Sequence, residues 1–436
     1  MILDKFNILD LVITKILKNI YYYFFFLYLT LIIGFIFNEN SIGGAISDFS
    51  EFWRKSVEFA NNFINTFETY HLSGHRQSPI FLIWQSIFIK FNVNETLYRL
   101  LNLHLCLLLV FLIFKTLKII FNKEKENKLL FFSSLILLSP TFRSAAVWPD
   151  SYIYALIFFI LSINFYLKFE ISKNKKLSYC LMNIIFLALS SYITPNFSLF
   201  SIFFFYKFFN HYKFTLNIIF IILLNLFLSF PAFYFLFIMK INFLIPSGSS
   251  DIGTDIISTQ NFSNKILITS TIIFFHFLNF GFFFFKKIKK NFLFKKNILI
   301  LITIILITYV LYFNFDYKTI YEYLGGGGLF LKISYKINNE IFFIIVSIFS
   351  LFCLTKIIQN NYSHDNLILL IILFLFQPQT TTYHSYFEPL LIILIPLLFK
   401  FKMTNFFKYN NNLIVLLIAN LFFLLANFLK NFLQII

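Results

Sequence analysis

Charged side chains are scarce in this sequence, and their scarcity excludes a water-soluble protein. Only 13% of the 436 residues are Asp, Glu, Lys or Arg, whereas 59% are hydrophobic and 69 are phenylalanine. A soluble domain of this length needs a far more polar surface. Apolar runs long enough to cross about 30 Å of hydrocarbon recur along the whole chain. We therefore predict an all-α fold, a polytopic transmembrane helical bundle.

Cysteine and the common catalytic motifs are also rare or absent. The three cysteines, Cys106, Cys180 and Cys353, fall in apolar runs without metal-ligand spacing, which favours packing roles over disulfides or redox chemistry. The sequence contains no HExxH, GxSxG, Walker or dinucleotide-binding motif. These absences exclude ATP-driven transport and serine hydrolysis of those types.

Acidic residues number only 19 against 36 Lys and Arg, and the two signs are unevenly placed. The amino-terminal tail and alternate short loops hold 24 of the basic residues but only 6 of the acidic ones. This asymmetry follows the positive-inside rule and does not indicate a nucleic-acid partner. We expect a multi-pass protein of the inner, cytoplasmic membrane, with the amino terminus and the lysine-rich loops in the cytoplasm.

We predict one integral membrane domain over residues 1–436, with about 11 to 13 spans. Residues 21–37 are too long and bulky for a cleavable signal and are expected to remain as an anchor. The long loops near 38–97, 239–264 and 314–339 then face the extracytoplasmic side, where we expect the chemistry. The predicted spans lie near 20–37, 98–117, 129–146, 151–168, 179–194, 196–210, 215–238, 265–285, 298–313, 340–356, 366–381, 386–401 and 412–430, with a half-buried segment at 79–91.

The first extracytoplasmic loop, residues 38–97, is rich in acidic residues and histidine. Apolar positions from Asp48 to about Tyr70 recur at helical spacing, which predicts an amphipathic helix in the membrane interface. Asp48 and Glu51 share a face of this helix, and two such carboxylates can bind a divalent cation or act as a general base. The alternative is an acidic first turn that complements the helix dipole, with Asp48 or Ser47 as the cap.

Two further outer segments carry ionisable residues at the membrane boundary. Arg143 and Asp150 lie in a short loop between predicted spans, where such residues are costly and often functional, although Asp150 can also simply cap the next helix. His384 and Glu388 are four residues apart near the outer end of a hairpin. This pair can bind a sugar hydroxyl or a phosphate oxygen, or its members can satisfy each other.

The late extracytoplasmic loop, residues 314–339, contains four consecutive glycines, Gly325 to Gly328, followed by Lys332 and Lys336. Backbone amides of a glycine run can cradle a phosphate, with a lysine as the counter-charge. No P-loop GKS or GKT follows, so a flexible outer loop is the alternative.

The order of these features resembles the GT-C class of polytopic glycosyltransferases, which includes dolichyl-phosphate-mannose mannosyltransferases and lipid A aminoarabinose transferases. SDFSEFW, followed by HRQSPIFLIWQSIFIKFNVNETLYRLL, is similar to that family's acidic residue, amphipathic helix, proline-containing turn and apolar segment ending in Arg-Leu. FRSAAVWPDSYIYALIFFILSINFYL is similar to its second acidic residue, placed before the fourth span. The resemblance covers roughly residues 20–170.

The chain also departs from that family's pattern. The first loop lacks an adjacent acidic pair, and Gln77-Ser78-Pro79 replaces the usual double proline. YHSYFEPLL lacks the arginine of the family's late arginine-tyrosine-proline region. These departures bear on the metal requirement and on which residue is the base.

The resemblance implies a polyprenyl-phosphate-linked sugar donor and a glycan, lipid or protein acceptor on the extracytoplasmic face. It implies that Asp48 is the base or metal-supporting residue, with Glu51 beside it, and that Asp150 is the second acid. Mg or Mn is the candidate cofactor, with Asp48 as its ligand. The candidate substrate and phosphate partners are His75, Arg76, Arg143, Lys332, Lys336, His384 and Glu388.

Two other membrane functions compete with this hypothesis. A flippase or other polysaccharide transporter places charged or broken-helix features near the bilayer midplane and shows repeated halves, whereas here the acids cluster at the outer rim. An O-antigen polymerase or ligase has its dominant outer loop in the second half of the chain, whereas here the richest loop is the first. We therefore rank both below the glycosyltransferase.

Overall fold

The computed structural model describes residues 13–73, 77–239, 259–280, 295–317, 326–361, 364–377, 381–400, 406–407 and 409–433. Within these ranges the chain is helical and has no strand, which confirms the all-α class. It divides into two compact units, Phe25–Asp251 with Asn427–Ile436 and Met1–Phe24 with Ile252–Ala426. We call these the amino-terminal and carboxy-terminal units, and the single integral domain stays a prediction.

The amino-terminal unit contains residues 38–97, the predicted first extracytoplasmic loop, and eleven helices with defined bounds among the described residues. Short 3-10 segments follow three of its helices, at Tyr70–Ser73, Leu135–Leu138 and Pro195–Leu199, and a π-helical turn at Tyr234–Ile238 follows the last. Its helices are α1 (Ile20–Ile36), α2 (Ala45–Asn61), α3 (Phe63–Glu68), α4 (Ile80–Lys90), α5 (Glu95–Ile120), α6 (Glu126–Ser134), α7 (Pro140–Val147), α8 (Ser151–Ile171), α9 (Leu177–Ile193), α10 (Phe200–Tyr212) and α11 (Leu216–Phe233).

Among the described residues, seven helices with defined bounds belong wholly or mainly to the carboxy-terminal unit, and residues 13–18 of this unit are also helical. The seven helices are α12 (Thr259–Asn279), α13 (Lys295–Phe313), α14 (Gly328–Lys336), α15 (Glu340–Asn361), α16 (His364–Leu375), α17 (His384–Leu397) and α18 (Asn410–Leu433).

Several helices are long and apolar enough to cross a membrane, which supports a multi-pass protein. Among the described residues, five helices meet this test by length and composition, and a bent pair brings the number to six. Six shorter apolar helices accompany them. The five are Glu95–Ile120, Ser151–Ile171, Leu216–Ile238, Glu340–Gln359 and Asn410–Leu429.

The predicted span at 129–146 is wrong as a single straight helix. Glu126–Leu138 and Pro140–Val147 meet at an angle of 69°. Ser139 between them is extended, because proline disfavours the helical conformation in the residue before it. The Ser139 hydroxyl then caps α7 by accepting a hydrogen bond from the Phe142 N–H at 3.0 Å. The bend folds α7 back into the protein.

The predicted amphipathic helix of the first loop is present but shorter than expected. Helix α2 ends at Asn61, and the side chain of Asn62 caps the short helix α3 by accepting from the Asn65 N–H at 3.2 Å. One face of α2 is buried through Phe49, Ser56 and Phe59, as the apolar spacing predicts. The predicted half-buried segment at 79–91 is confirmed as helix α4.

Candidate functional site

Asp48 lies in the first turn of α2, and its carboxylate takes no part in capping that helix. The N-cap is Gly44, which makes no side-chain hydrogen bond, so the prediction that Ser47 or Asp48 caps the helix is wrong. The other part of that alternative, an acidic first turn that complements the helix dipole, is confirmed, because Asp48 lies in the first turn. Among the described residues the Asp48 carboxylate has neither a hydrogen-bond donor nor an ion-pair partner. It is therefore open to a ligand.

The surroundings of Asp48 hold its pKa at about 7, well above the ordinary 3.8. Desolvation by neighbouring protein is the largest cause, and the negative charges of Asp150 and Glu51 add to it. The side chain is nonetheless exposed to solvent. Because its pKa is near neutral, Asp48 is suited to exchange protons at physiological pH.

Asp150 is the N-cap of α8 and is also the charge that acts most strongly on Asp48. Its Oδ1 atom accepts hydrogen bonds from the Tyr152 N–H at 3.0 Å and from the Ser151 hydroxyl at 3.2 Å. Burial raises the pKa of Asp150, although these two bonds partly oppose the shift. Its Oδ2 atom has no donor among the described residues. Asp150 therefore caps α8 and also acts electrostatically on Asp48.

Aromatic packing sets the position of Asp48 relative to Asp150. Phe49, the residue after Asp48, packs against Trp148, with the ring centres 5.9 Å apart. Trp53, one turn later on α2, packs against Tyr98 of α5 at 5.4 Å. These four rings form one cluster with Ala45 and Val147. Since Trp148 is two residues before Asp150, docking of α2 on this cluster brings the two acids together.

Arg99 holds the segment before Asp150 and is a site residue that sequence reasoning missed. Its guanidinium lies 3.4 Å from the centre of the Trp148 ring, a cation–π contact. The Nε atom donates to the Val147 carbonyl at 3.0 Å, and Nη2 donates to Asn38 Oδ1 at 2.8 Å. The sequence signal that could have identified Arg99 is its position in the first turns of α5, because a charged residue inside an apolar membrane helix is costly and often functional.

Arg143 is a buried scaffold residue and is not presented to a ligand as predicted. It forms a bidentate ion pair with Glu39, with Nε to Oε1 at 2.7 Å and Nη2 to Oε2 at 2.6 Å. Its other N–H groups donate to Thr30 and to the Leu137 carbonyl, so the guanidinium is fully used inside the protein. The bend at Pro140 turns α7, and Arg143 with it, inward.

Gly34 makes room for this ion pair. A Cβ atom at position 34 would overlap Glu39 Oε2 and lie 3.2 Å from Arg143 Nη2. We expect Gly34→Ala to displace the carboxylate and to lower the free energy of unfolding by about 1 to 3 kcal/mol, as overpacking does. Thermal unfolding in detergent micelles measures the change. Ile33→Ala, on the exposed side of α1, is the control. Equal midpoints for the two variants would contradict the prediction.

A second polar cluster lies in the carboxy-terminal unit. His276 of α12 and His384 of α17 face each other, with their Nε2 atoms 2.9 Å apart. Phe275 and Phe423 pack around the His384 ring at 5.6 and 4.8 Å. His276 was not selected from the sequence, because its partner is more than 100 residues away in the chain.

The glycine run contributes to this second cluster. Gly327 has φ +94° and is the N-cap of α14, and its N–H donates to the Thr382 carbonyl at 2.8 Å. A Cβ on Gly328 would lie 4.0 Å from His384 Nδ1. The positive charge of Lys332 acts on His384. The structure thus places Gly328 near His384 and lets the charge of Lys332 act on that histidine, while a phosphate or sugar site at this position stays a prediction.

The remaining predicted site residues lie in several different places. Glu388 is buried one helical turn after His384, and Lys336 is exposed in the last turn of α14. In the second cluster, Thr382 Oγ1 and His384 Nδ1 have no hydrogen-bond partner within the described ranges. His75, Arg76 and Gly325 lie outside the described residues.

No family model, curated protein or solved structure matches this chain. The function is therefore inferred from the chemistry of the two clusters.

Proposed function

We propose that this protein is a membrane glycosyltransferase that transfers a sugar from a polyprenyl-phosphate-linked donor to a glycan, lipid or protein acceptor at the extracytoplasmic face. The observation that supports this proposal most directly is the electrostatic effect of Asp150 on Asp48. Two separate loops, both predicted to be extracytoplasmic, supply one carboxylate with a near-neutral pKa and a second acid whose charge acts on it. Asp48 is not the cap of α2, so helix capping does not explain an acidic residue at this position.

In the proposed reaction, ionised Asp48 takes the proton of the acceptor hydroxyl as its oxygen attacks the anomeric carbon. The bond from that carbon to the phosphate oxygen breaks, and the polyprenyl phosphate leaves with the electron pair. A base whose pKa lies near the operating pH suits this step, because it is ionised before reaction and still basic enough to accept a proton. Asp150 keeps the pKa of Asp48 raised through its negative charge.

A divalent cation fits the charge of this site. Hard carboxylate oxygens are the ligands that Mg²⁺ and Mn²⁺ prefer, and a cation offsets the repulsion between two carboxylates. Asp48 and the Oδ2 atom of Asp150 are the oxygens that would hold it. When bound, such an ion would stabilise the negative charge of the departing phosphate. Within the described ranges no group of three or more His, Cys, Asp or Glu is arranged as a metal site.

The test of this proposal uses the full-length protein in proteoliposomes with a panel of radiolabelled polyprenyl-phosphate sugars. Membrane extracts supply the acceptors. Transfer of label from one donor to a glycan, lipid or protein supports the proposal. Movement of an unaltered lipid-linked glycan across the bilayer, without transfer from any donor, would instead identify a transporter.

The pH dependence of transfer gives a second prediction. Because the base must be ionised, we expect kcat/KM measured without a divalent cation to rise with pH through about 7 and then level off, since a cation bound at Asp48 would lower its pKa. Asp150→Asn removes a negative charge that raises the pKa of Asp48, so the rising limb should move to lower pH. Glu58→Gln changes a carboxylate on the same helix that is paired with Arg54 and Lys55, and it should leave the limb in place. An unshifted limb in Asp150→Asn would count against the coupling.

A further inference from the structure

Two arginines of the amino-terminal unit are deeply buried, but they differ in how their charge is balanced. Arg143 and Arg99 are 6% and 7% exposed. Arg143 pairs with Glu39, whereas Arg99 forms no ion pair within the described residues. Glu95, one turn earlier, acts on Arg99 through its charge alone, and its own side chain is exposed. Because a buried charge is costly unless it is paired, Arg99 is suited to bind an anion from outside the chain.

The contacts of Arg99 hold its guanidinium in place and leave one end of it unused. The Nε atom donates to the Val147 carbonyl and Nη2 donates to Asn38. The Nη1 atom, which carries two more N–H groups, has no acceptor in the described part of the chain. It is not one of the buried polar atoms that lack a partner, so a ligand can reach it from outside. The rings of Trp148 and Phe35, with centres 3.4 and 5.3 Å from the guanidinium carbon, stabilise the cation without neutralising it.

The position of Arg99 favours the phosphate of a lipid headgroup as this anion. Arg99 lies in the second turn of α5, which is long and apolar enough to cross a membrane. Asn38 follows the end of α1, where the apolar side chains of Ile36 and Phe37 are 64% and 79% exposed. A cation beside exposed apolar and aromatic side chains at the ends of membrane helices is typical of the level at which headgroups meet hydrocarbon. The planar N–H groups of a guanidinium match phosphate oxygens in both charge and geometry.

The unused end of Arg99 is separate from the two acids of the proposed transfer site. The charge that acts on Arg99 is that of Glu95. Arg99 is not among the groups whose charge acts on Asp48 or on Asp150. A phosphate bound at Arg99 is therefore not the leaving group of the proposed reaction, which departs beside those acids.

We propose that Arg99 binds the phosphate of an anionic phospholipid at the neighbouring ends of α1 and α5. This inference does not depend on the proposed function, because the ligand is a membrane lipid and not the sugar donor. Phosphatidylglycerol carries one net negative charge, whereas the choline ammonium of phosphatidylcholine offsets the phosphate charge and is repelled by Arg99. The site should therefore prefer phosphatidylglycerol. The bound phosphate would also hold Arg99 against Val147 and Trp148, and with them the segment that leads to Asp150.

The test is photocrosslinking of the full-length protein in phosphatidylcholine nanodiscs that contain a trace of phosphatidylglycerol with a diazirine in its headgroup. We expect adducts on residues 33–38 and 95–102, and added phosphatidylglycerol should displace the label where the same amount of phosphatidylcholine does not. Arg99→Gln should lower labelling of these residues about tenfold, which corresponds to about 1.4 kcal/mol of binding free energy. Arg54→Gln, at an arginine of α2 whose side chain is 63% exposed, is the matched control and should label like the wild type.

Four results would overturn this inference. The first is the absence of adducts on residues 33–38 and 95–102, and the second is equal displacement of the label by the two phospholipids. The third is displacement by inorganic phosphate, which would identify a site for a soluble anion. The fourth is displacement by farnesyl phosphate at a lower concentration than phosphatidylglycerol needs, which would assign Arg99 to the sugar donor. These four measurements use the wild type, so they decide the matter even if Arg99→Gln does not fold.

Discussion

Replacing Asp48 by asparagine is expected to lower sugar transfer by about 10²- to 10⁴-fold, the usual contribution of a positioned general base. Asparagine has nearly the same shape as aspartate but cannot accept the acceptor proton. The Asp48 side chain makes no hydrogen bond within the described part of the chain, and its negative charge is disfavoured there, so the substitution should leave the fold intact. Transfer of radiolabelled sugar by purified protein, together with the thermal midpoint, measures both effects.

The control for this substitution is Glu58→Gln, which removes a carboxylate from the same helix at a surface ion pair. We expect it to retain transfer, because exposed ion pairs contribute little to stability and Glu58 is not coupled to Asp150. Full activity in Asp48→Asn would show that Asp48 is not the base. Loss of activity in Asp150→Asn alone would then transfer that role to Asp150.

Replacing Arg143 by methionine is expected to destabilise the amino-terminal unit by about 3 to 5 kcal/mol, the usual cost of leaving one buried partner of an ion pair uncompensated. The carboxylate of Glu39 would remain buried with only the Ser41 hydroxyl as a side-chain donor. The loop that carries Trp148 should also loosen, because the Trp148 indole N–H donates to the Glu39 carbonyl at 3.1 Å. Unfolding by denaturant in mixed micelles measures the effect.

A double variant separates the ion pair from simple loss of packing. Arg143→Met combined with Glu39→Leu removes both charges, and we expect it to recover much of the lost stability, since apolar replacements of buried pairs are often tolerated. Arg54→Met, in an ion pair that is 63% exposed at the arginine, should change stability by less than about 1 kcal/mol. A double variant as unstable as Arg143→Met would assign the effect to packing.

Local sequence signals predicted several elements well. The apolar spacing around Phe49 and Phe59 predicted a half-buried helix, and Asp150 before an apolar run predicted a helix cap. Both depend on contacts within a few residues, which periodicity and capping rules describe. The same rules overlooked the effect of Pro140 on Ser139, and so a bent pair of helices was taken for one span.

The roles of several ionisable residues depended on partners far away in the chain. Arg143 was predicted to bind phosphate because an arginine at the membrane boundary is costly. In the structure its charge is balanced by an ion pair with Glu39, 104 residues earlier. His276 was not selected as a candidate because its partner His384 is 108 residues later. No spacing rule reaches such distances, since they depend on which helices pack together.

The sequence by itself determined the membrane character of the protein and its helical class, because hydrocarbon excludes unpaired backbone groups and this composition is too apolar for water. It also singled out Asp48 and Asp150 as candidates. Only the tertiary structure decided that the charge of Asp150 acts on Asp48 and that Arg143 is paired with Glu39 inside the protein. The physical reason is that pKa shifts and ion pairs depend on distances between segments, whereas composition and periodicity act along a single segment.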